Sequence, residues 1–240
     1  MSLVELKALG LKKSIKNTEI IKNVDMSMNN SQIVGLFGSN GAGKTTTFYM
    51  ICGLISPSAG NIFLNDLDIT NEPLHKRAML GIGYLPQDSS VLKDLSVWDN
   101  MQIAAELKGL KDINELIEEK LNLLKIYDRK DRLAKSLSGG ERRRLEIARA
   151  LVLEPKFLLL DEPFAGVDPK SINDVQGIIK DLKELNIGVL ITDHNVRETL
   201  KICDKAYVLD SGSILASGSA KEIANNEIVQ NKYLGKNFSL

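Results

Sequence analysis

The segment GSNGAGKTT, Gly38–Thr46, places three glycines, a lysine and two threonines within nine residues. Residues of these types at this spacing can hold a chain of phosphates. Gly38, Gly41 and Gly43 let the backbone wrap the anion, and Lys44 reaches toward the β- and γ-phosphates. The Thr45 hydroxyl is a ligand for Mg²⁺, and Ser39, Asn40, Ala42 and Thr46 complete the loop. A chance glycine turn could share the composition. It would not also fall between an apolar strand, QIVGLF, and a helix, which is the setting a phosphate loop requires.

A second constellation lies at FLLLDEP. Four apolar residues predict a buried strand, which puts Asp161 at its C-terminal edge, where open parallel sheets bind ligands. One carboxylate there can hold the Mg²⁺ shell, and the next, Glu162, is placed to take a proton from an attacking water. The bland alternative for Glu162 is a surface carboxylate at a strand end. Loop and carboxylates together predict hydrolysis of a nucleoside triphosphate. A third stretch, SLSGGERRRLEIARAL, sets Ser138, Gly139 and Gly140 before an amphipathic helix. Exposed N–H groups, a hydroxyl and the positive end of a helix dipole make a second anion site.

These groups need a scaffold. Leu3–Leu9, Val24–Met28 and Asn61–Asp66 alternate as strands do and predict a small antiparallel layer. Apolar strands are also predicted at QIVGLF, GIGYLPQ (ending at Gln87), KFLLLDEP and IGVLITDH, with a hairpin turning at Asp210–Gly212. Residues 88–153 read as helical. Ser96 with Asp99 marks a helix start, and two apolar stripes run along Ile113, Leu116, Ile117, Leu121 and Leu124 and along Leu145, Ala148, Leu151 and Val152. Asp168 and Pro169 open a further helix. By helical spacing, Arg142–Arg144 fall mainly on the solvated side of theirs. Alternating strands and helices predict an α/β fold with a mainly parallel sheet, divided into 1–87 with 154–240 and a helical insert at 88–153.

Composition sets outer bounds. Lys+Arg and Asp+Glu are both 31, so the net charge of zero argues against nucleic acid as a partner held by overall charge. The longest apolar runs, FLLL and GVLI, fall far short of a membrane span of about 20 residues. Cys52 and Cys203 sit in apolar surroundings and read as reduced, buried thiols.

In order, the chain carries GSNGAGKTT, GYLPQ, LSGGERRRLEIARAL, FLLLDEP, AGVD and ITDH. Six elements in register resemble the ATP-binding-cassette (ABC) ATPases over essentially the full chain. The resemblance implies ATP and Mg²⁺ as ligands and a RecA-like phosphate-loop core. It implies that Gln87 contacts the metal and water and links the site to a membrane partner. His194 would contact the γ-phosphate, and Asp168 would sit across a dimer interface while also capping its helix. Many members stack adenine on an N-terminal aromatic; Ile15 stands in the approximate place here. Ser39 replaces a commoner proline, Glu141 a commoner glutamine, and AGVD a commoner SALD. The second anion motif is expected to act in trans. In a head-to-tail homodimer, Ser138, Gly139 and Gly140 of one copy would close over the γ-phosphate held by the other.

Within the family, PLHKRAMLGIGYLPQ, LSVWDN, LLDEPFAGVDP, GVLITDHNVRETL and KYLGKNFSL resemble the ATPases of lipopolysaccharide exporters. The likeness implies two integral-membrane subunits as partners, docking near Val91, Leu92, Lys93 and Trp98. It also implies lipopolysaccharide handled by the complex, and a place on the cytoplasmic face of the inner membrane. Branched-chain amino-acid importer ATPases share some of these segments and are the alternative. A soluble cassette ATPase acting on nucleic acid or ribosomes would usually bring a second cassette or a coiled-coil arm. A GTPase-like switch would need an N-K-x-D element, which the sequence lacks.

Overall fold

The computed structural model describes residues 3–107, 109, 113–235, 238 and 240. The strands are β1 (Glu5–Ile15), β2 (Thr18–Asn29), β3 (Ile33–Gly38), β4 (Ala59–Leu64), β5 (Leu67–Asp68), β6 (Ile82–Leu85), β7 (Phe157–Asp161), β8 (Gly188–Thr192), β9 (Lys205–Asp210) and β10 (Ser213–Gly218). The helices are α1 (Lys44–Cys52), α2 (Leu74–Met79), α3 (Val97–Leu107), α4 (Ile113–Leu123), α5 (Gly139–Leu151), α6 (Pro169–Glu184), α7 (Val196–Leu200), α8 (Ala220–Asn225) and α9 (Glu227–Val229).

The strands form a ten-stranded sheet in the order β5-β4-β1-β2-β10-β9-β3-β8-β7-β6. From β9 to β6 neighbours run parallel. At the other end β2, β1, β4 and β5 pair antiparallel, the layer expected at the start of the chain. The β9–β10 hairpin stands between the halves and meets β2 through Ser213 and Asn23. The fold is therefore α/β, as the alternation of elements implied.

Period two divides the central strands between two faces. Ile33, Phe37, Leu158, Leu160, Val189 and Ile191 point into the cluster shared with the helices of 97–182. Val34, Leu36, Leu159 and Leu190 point into the one shared with α1 and the antiparallel layer. Every residue of β3, β7 and β8 is buried, as continuous apolar runs in a covered parallel sheet must be. The buried ends of β3 and β7 hold the two constellations read from the sequence.

Some boundaries differ from expectation. The hairpin β1–β2 runs on to a turn at Lys16, whose φ of 54° is a turn conformation the alternation rule does not see. Strand β6 stops at Leu85, two residues before Gln87, because Pro86 has no N–H for a ladder. Helices α2, α7, α8 and α9 go beyond those expected from the sequence. Ser96 and Asp99 do start α3: the Asp99 carboxylate accepts from the Ser96 hydroxyl at 2.6 Å, and Ser96 Oγ accepts from the Asp99 N–H at 3.0 Å. Val91, expected at a docking surface, is core instead. The fully buried Asn100 accepts from the Leu92 N–H at 2.9 Å and donates to the Leu92 carbonyl at 3.0 Å, pinning residues 91–92 against α3 and turning Val91 inward. Leu92 and Lys93 stay exposed, and Trp98 is half-buried beneath the Lys130 ammonium. Both cysteines are free and buried.

Candidate functional site

The phosphate loop joins β3 to α1. Gly43 has a φ of 102°, and a Cβ there would lie 2.3 Å from Ile21 Cδ1, so only glycine fits. β2 therefore presses directly on the loop. The Ala42 carbonyl accepts from the Gly212 N–H at 3.1 Å, and the Gly212 carbonyl accepts from the Lys22 N–H at 2.8 Å, so the β9–β10 turn closes the same stack. Helix α1 has no acidic residue in its first turn, which leaves its positive end to an anion. Lys44 Nζ donates to the carbonyls of Gly38 (2.7 Å) and Ser39 (3.0 Å). Burial pulls its pKa below the ordinary lysine value, and the charge of Glu162 opposes this. Ser39, Asn40, Gly41 and Thr45 are exposed, Thr46 is half-buried and Ala42 is buried.

Glu162 follows β7 with a φ of 47°, a left-handed conformation rare for a glutamate. Its N–H donates to the Thr192 carbonyl of β8 at 2.7 Å, which holds the turn. Its carboxylate stands between two side chains named from the sequence. Gln87 Nε2 donates to Oε2 at 2.8 Å, and His194 Nε2 lies 2.9 Å from Oε1. Three residues 75 and 32 positions apart in sequence thus meet at one carboxylate. Asp161 beside it is 7% exposed; burial first, then Glu162, holds its carboxyl above the usual range.

One residue that positions the site was not expected from the sequence. Asp193 is buried; its Oδ2 accepts from the Phe164 N–H at 3.0 Å and its Oδ1 from the Asn195 N–H at 2.7 Å. It ties the segment after Glu162 to the turn carrying His194. Its place directly before the histidine was the available signal.

Ser138 caps α5 in a reciprocal box. Its Oγ accepts from the Glu141 N–H at 3.2 Å, and its N–H donates to Glu141 Oε2 at 2.9 Å. Arg129 Nε bonds the other carboxylate oxygen at 3.0 Å, which explains a glutamate at 141. An accepting Oγ still has its own hydrogen to donate. Gly139 lines a cleft of about 190 Å³ with Gln87, Glu162 and Gly166, and no residue of 38–46 lines that cleft. A Cβ at Gly139 would stand 3.6 Å from the Gly166 carbonyl oxygen, and one at Gly140 would stand 3.4 Å from Ser171. Asp168 caps α6, accepting from the Ser171 N–H at 3.1 Å. Ile15 is 49% exposed at the end of β1.

The arginine run departs from expectation. Arg143 is buried and pairs with the buried Glu146 at 2.8 Å, and Arg144 bonds the Leu124 carbonyl at 3.0 Å and Asp174 at 3.3 Å. Helix α5 is packed by α3, α4, α6 and β6, so it has little solvated side to offer.

With a phosphate loop, the Asp161–Glu162 pair and a signature helix on this sheet, the chain belongs to the ABC transporter family, which residues 21–165 match. It is an ATP-binding, ATP-hydrolysing subunit of such a transporter, a class that works as dimers with membrane subunits. It is 49% identical over 244 residues to the lipopolysaccharide export system ATP-binding protein LptB of Haemophilus influenzae, covering 98% of this chain and 99% of that protein. It is 48% identical over 245 residues to LptB of Escherichia coli strain K12, covering 99% and 100%. Among solved structures it is similar to MJ1267, an ATP-binding cassette of an ABC transporter in its ADP conformation (TM-score 0.88, 28% identity, 98% of this chain and 100% of that one). It is also similar to cbiO1 of Clostridium perfringens, part of the cbiONQ transporter complex (0.86, 29%, 95% and 94%). Among the described residues no helix is long and apolar enough to cross a membrane.

Proposed function

We propose that this chain powers extraction of lipopolysaccharide from the inner membrane and its export toward the outer membrane, as the ATPase subunit on the cytoplasmic face. The lipopolysaccharide assignment is supported by the near-full-length identity to the LptB proteins. For the chemistry, the observation that carries the reading is Glu162 held between Gln87 and His194. Lys44 and the N–H groups of 38–46 bind and orient the β- and γ-phosphates. Glu162 takes the proton of the attacking water, while His194 and Gln87 fix its carboxylate and meet the γ-phosphate side.

Magnesium fits the donors present. Asp161, Thr45 and Gln87 offer oxygens, and a cation relieves a buried carboxyl crowded by Glu162. Among the described residues no cluster of three His, Cys, Asp or Glu side chains could hold a metal, so these residues would share the ion with the nucleotide. When bound, Mg²⁺ neutralises phosphate charge.

A head-to-tail pair of chains completes each site, with Ser138, Gly139 and Gly140 of one copy donating to the γ-phosphate on the other and Asp168 at the interface. Residues 88–153 then move against 1–87 and 154–240 as ATP joins and leaves. Two membrane subunits dock at the groove of about 370 Å³ lined by Leu74, His75, Tyr84 and Arg149, and Leu92, Lys93 and Trp98 are further contacts in this reading. Leu92→Arg is expected to abolish co-purification with those subunits while ATP binding stays unchanged; a fall in ATP binding would show that the substitution disturbs the fold and would remove Leu92 as a docking contact. Ile15→Tyr is expected to tighten ATP binding several-fold, since an aromatic stack adds about 0.5–1.5 kcal/mol, and calorimetry reads this directly. Purification of the native complex tests the whole reading. Bound lipopolysaccharide and two membrane subunits support it, and a complex that retains branched-chain amino acids refutes it.

A further inference from the structure

Arg77 of α2 is 1% exposed. Its Nε donates to the Glu72 carbonyl (2.7 Å), its Nη1 to those of Met50 and Ile51 (2.7 Å each) and its Nη2 to that of Thr70 (2.9 Å). None of the four partners is a carboxylate. A buried guanidinium is costly unless its N–H groups are bonded, and charged donors make the stronger bonds. Met50 and Ile51 belong to the last turn of α1, so the charge sits at the negative end of the helix that begins with Lys44.

The junction has no slack. Gly53 ends α1 with a φ of 84°, and a Cβ there would lie 2.9 Å from Arg77 Nε, from the Glu72 carbonyl and from the Leu74 nitrogen. The other face of α2 supplies Leu74, His75 and Ala78 to the 370 Å³ groove, which Tyr84 also lines. The Tyr84 ring meets Phe48 and Tyr49 of α1 edge-on, at centroid distances of 6.0 and 6.3 Å. The groove wall is therefore fastened to α1 along its length, by an aromatic contact at mid-helix and by the guanidinium at the last turn.

The geometry points to Arg77 as a positioning residue that makes α2 and α1 one body. Pressure in the groove then changes how α1 presents the phosphate loop, and nucleotide on the loop is felt at α2. Coupling between two sites is reciprocal, so the second direction can be measured without the first. What presses on α2 rests on the docking reading above; the coupling itself does not.

The test is hydrogen exchange of the full chain with and without ADP and Mg²⁺, which engage the loop without the γ-phosphate that closes a dimer. In the wild type, ADP is expected to slow exchange of the amides of 73–80 by about fivefold, the low end of typical couplings. Arg77→Lys keeps the charge but loses the planar fork that spans carbonyls on both sides. It is expected to melt cooperatively and to bind ADP, yet to show no slowing at 73–80. Arg77→Gln is the second variant should the first not fold, with the same result expected. A merely structural arginine would lower the melting temperature and leave the slowing in place. That result overturns the proposal, and so does a wild-type chain in which ADP does not slow 73–80. Neither result bears on whether a membrane subunit occupies the groove, which Leu92→Arg tests separately.

Discussion

Glu162→Gln is expected to lower ATP turnover by roughly two to four orders of magnitude, the usual contribution of a positioned general base, while ATP stays bound. Glutamine keeps the length and can still meet Gln87 and His194, which bond the carboxylate at 2.8 and 2.9 Å. It cannot accept a proton from water. Binding and hydrolysis should separate: the variant accumulates as an ATP-bound dimer in size exclusion, and the wild type does so only transiently. Turnover near the wild-type rate would remove Glu162 from the base role. Asp161 is poorly placed to replace it, since it is buried at the end of β7.

Ser138→Arg should stop hydrolysis, by at least the roughly 10²-fold that losing one donor to a developing charge costs, with ATP binding to the monomer nearly normal. The structure sharpens this test. Ser138 is a helix cap, and removing a cap costs about 1 kcal/mol by itself. Ser138→Asp restores a good cap but sets a carboxylate against the phosphate across the dimer. If both variants are inactive and only the arginine variant is less stable, the serine acts on phosphate. An active Ser138→Asp makes it a cap alone. Hydrolysis by a strict monomer of the wild type would discard the shared site altogether.

What the sequence made legible was local. Gly38–Thr46 could be read because its chemistry lies within nine residues and its flanks name their own secondary structure. The Asp161–Glu162 pair could be read because β7 is wholly apolar up to its edge. The roles of Gln87 and His194 came only from the order of motifs, and their meeting at Glu162 is a property of the sheet, which sets β6, β7 and β8 side by side. Arg143 and Arg77 were misread or missed for a common reason. Period rules assign charge to the solvated side, whereas Arg143 is buried with Glu146 one turn along its own helix and Arg77 is buried among four carbonyls, two of them from the last turn of α1. Val91 lies in the core because the Asn100 side chain, one helical turn into α3, fastens the adjacent Leu92 backbone.

The sheet order also bears on how the chain comes to exist. Strand β3, which carries the phosphate loop, pairs on one side with 188–192 and on the other with 205–210. Both neighbours are made some 150 to 170 residues after it. At typical synthesis rates of 5–20 residues per second this is a wait of roughly 10–30 s. Through that interval an apolar strand has two open edges, a template for mispairing. The nascent chain is most exposed to aggregation over the stretch that will bind nucleotide, and it cannot gain stability from ATP until nearly all of it has emerged.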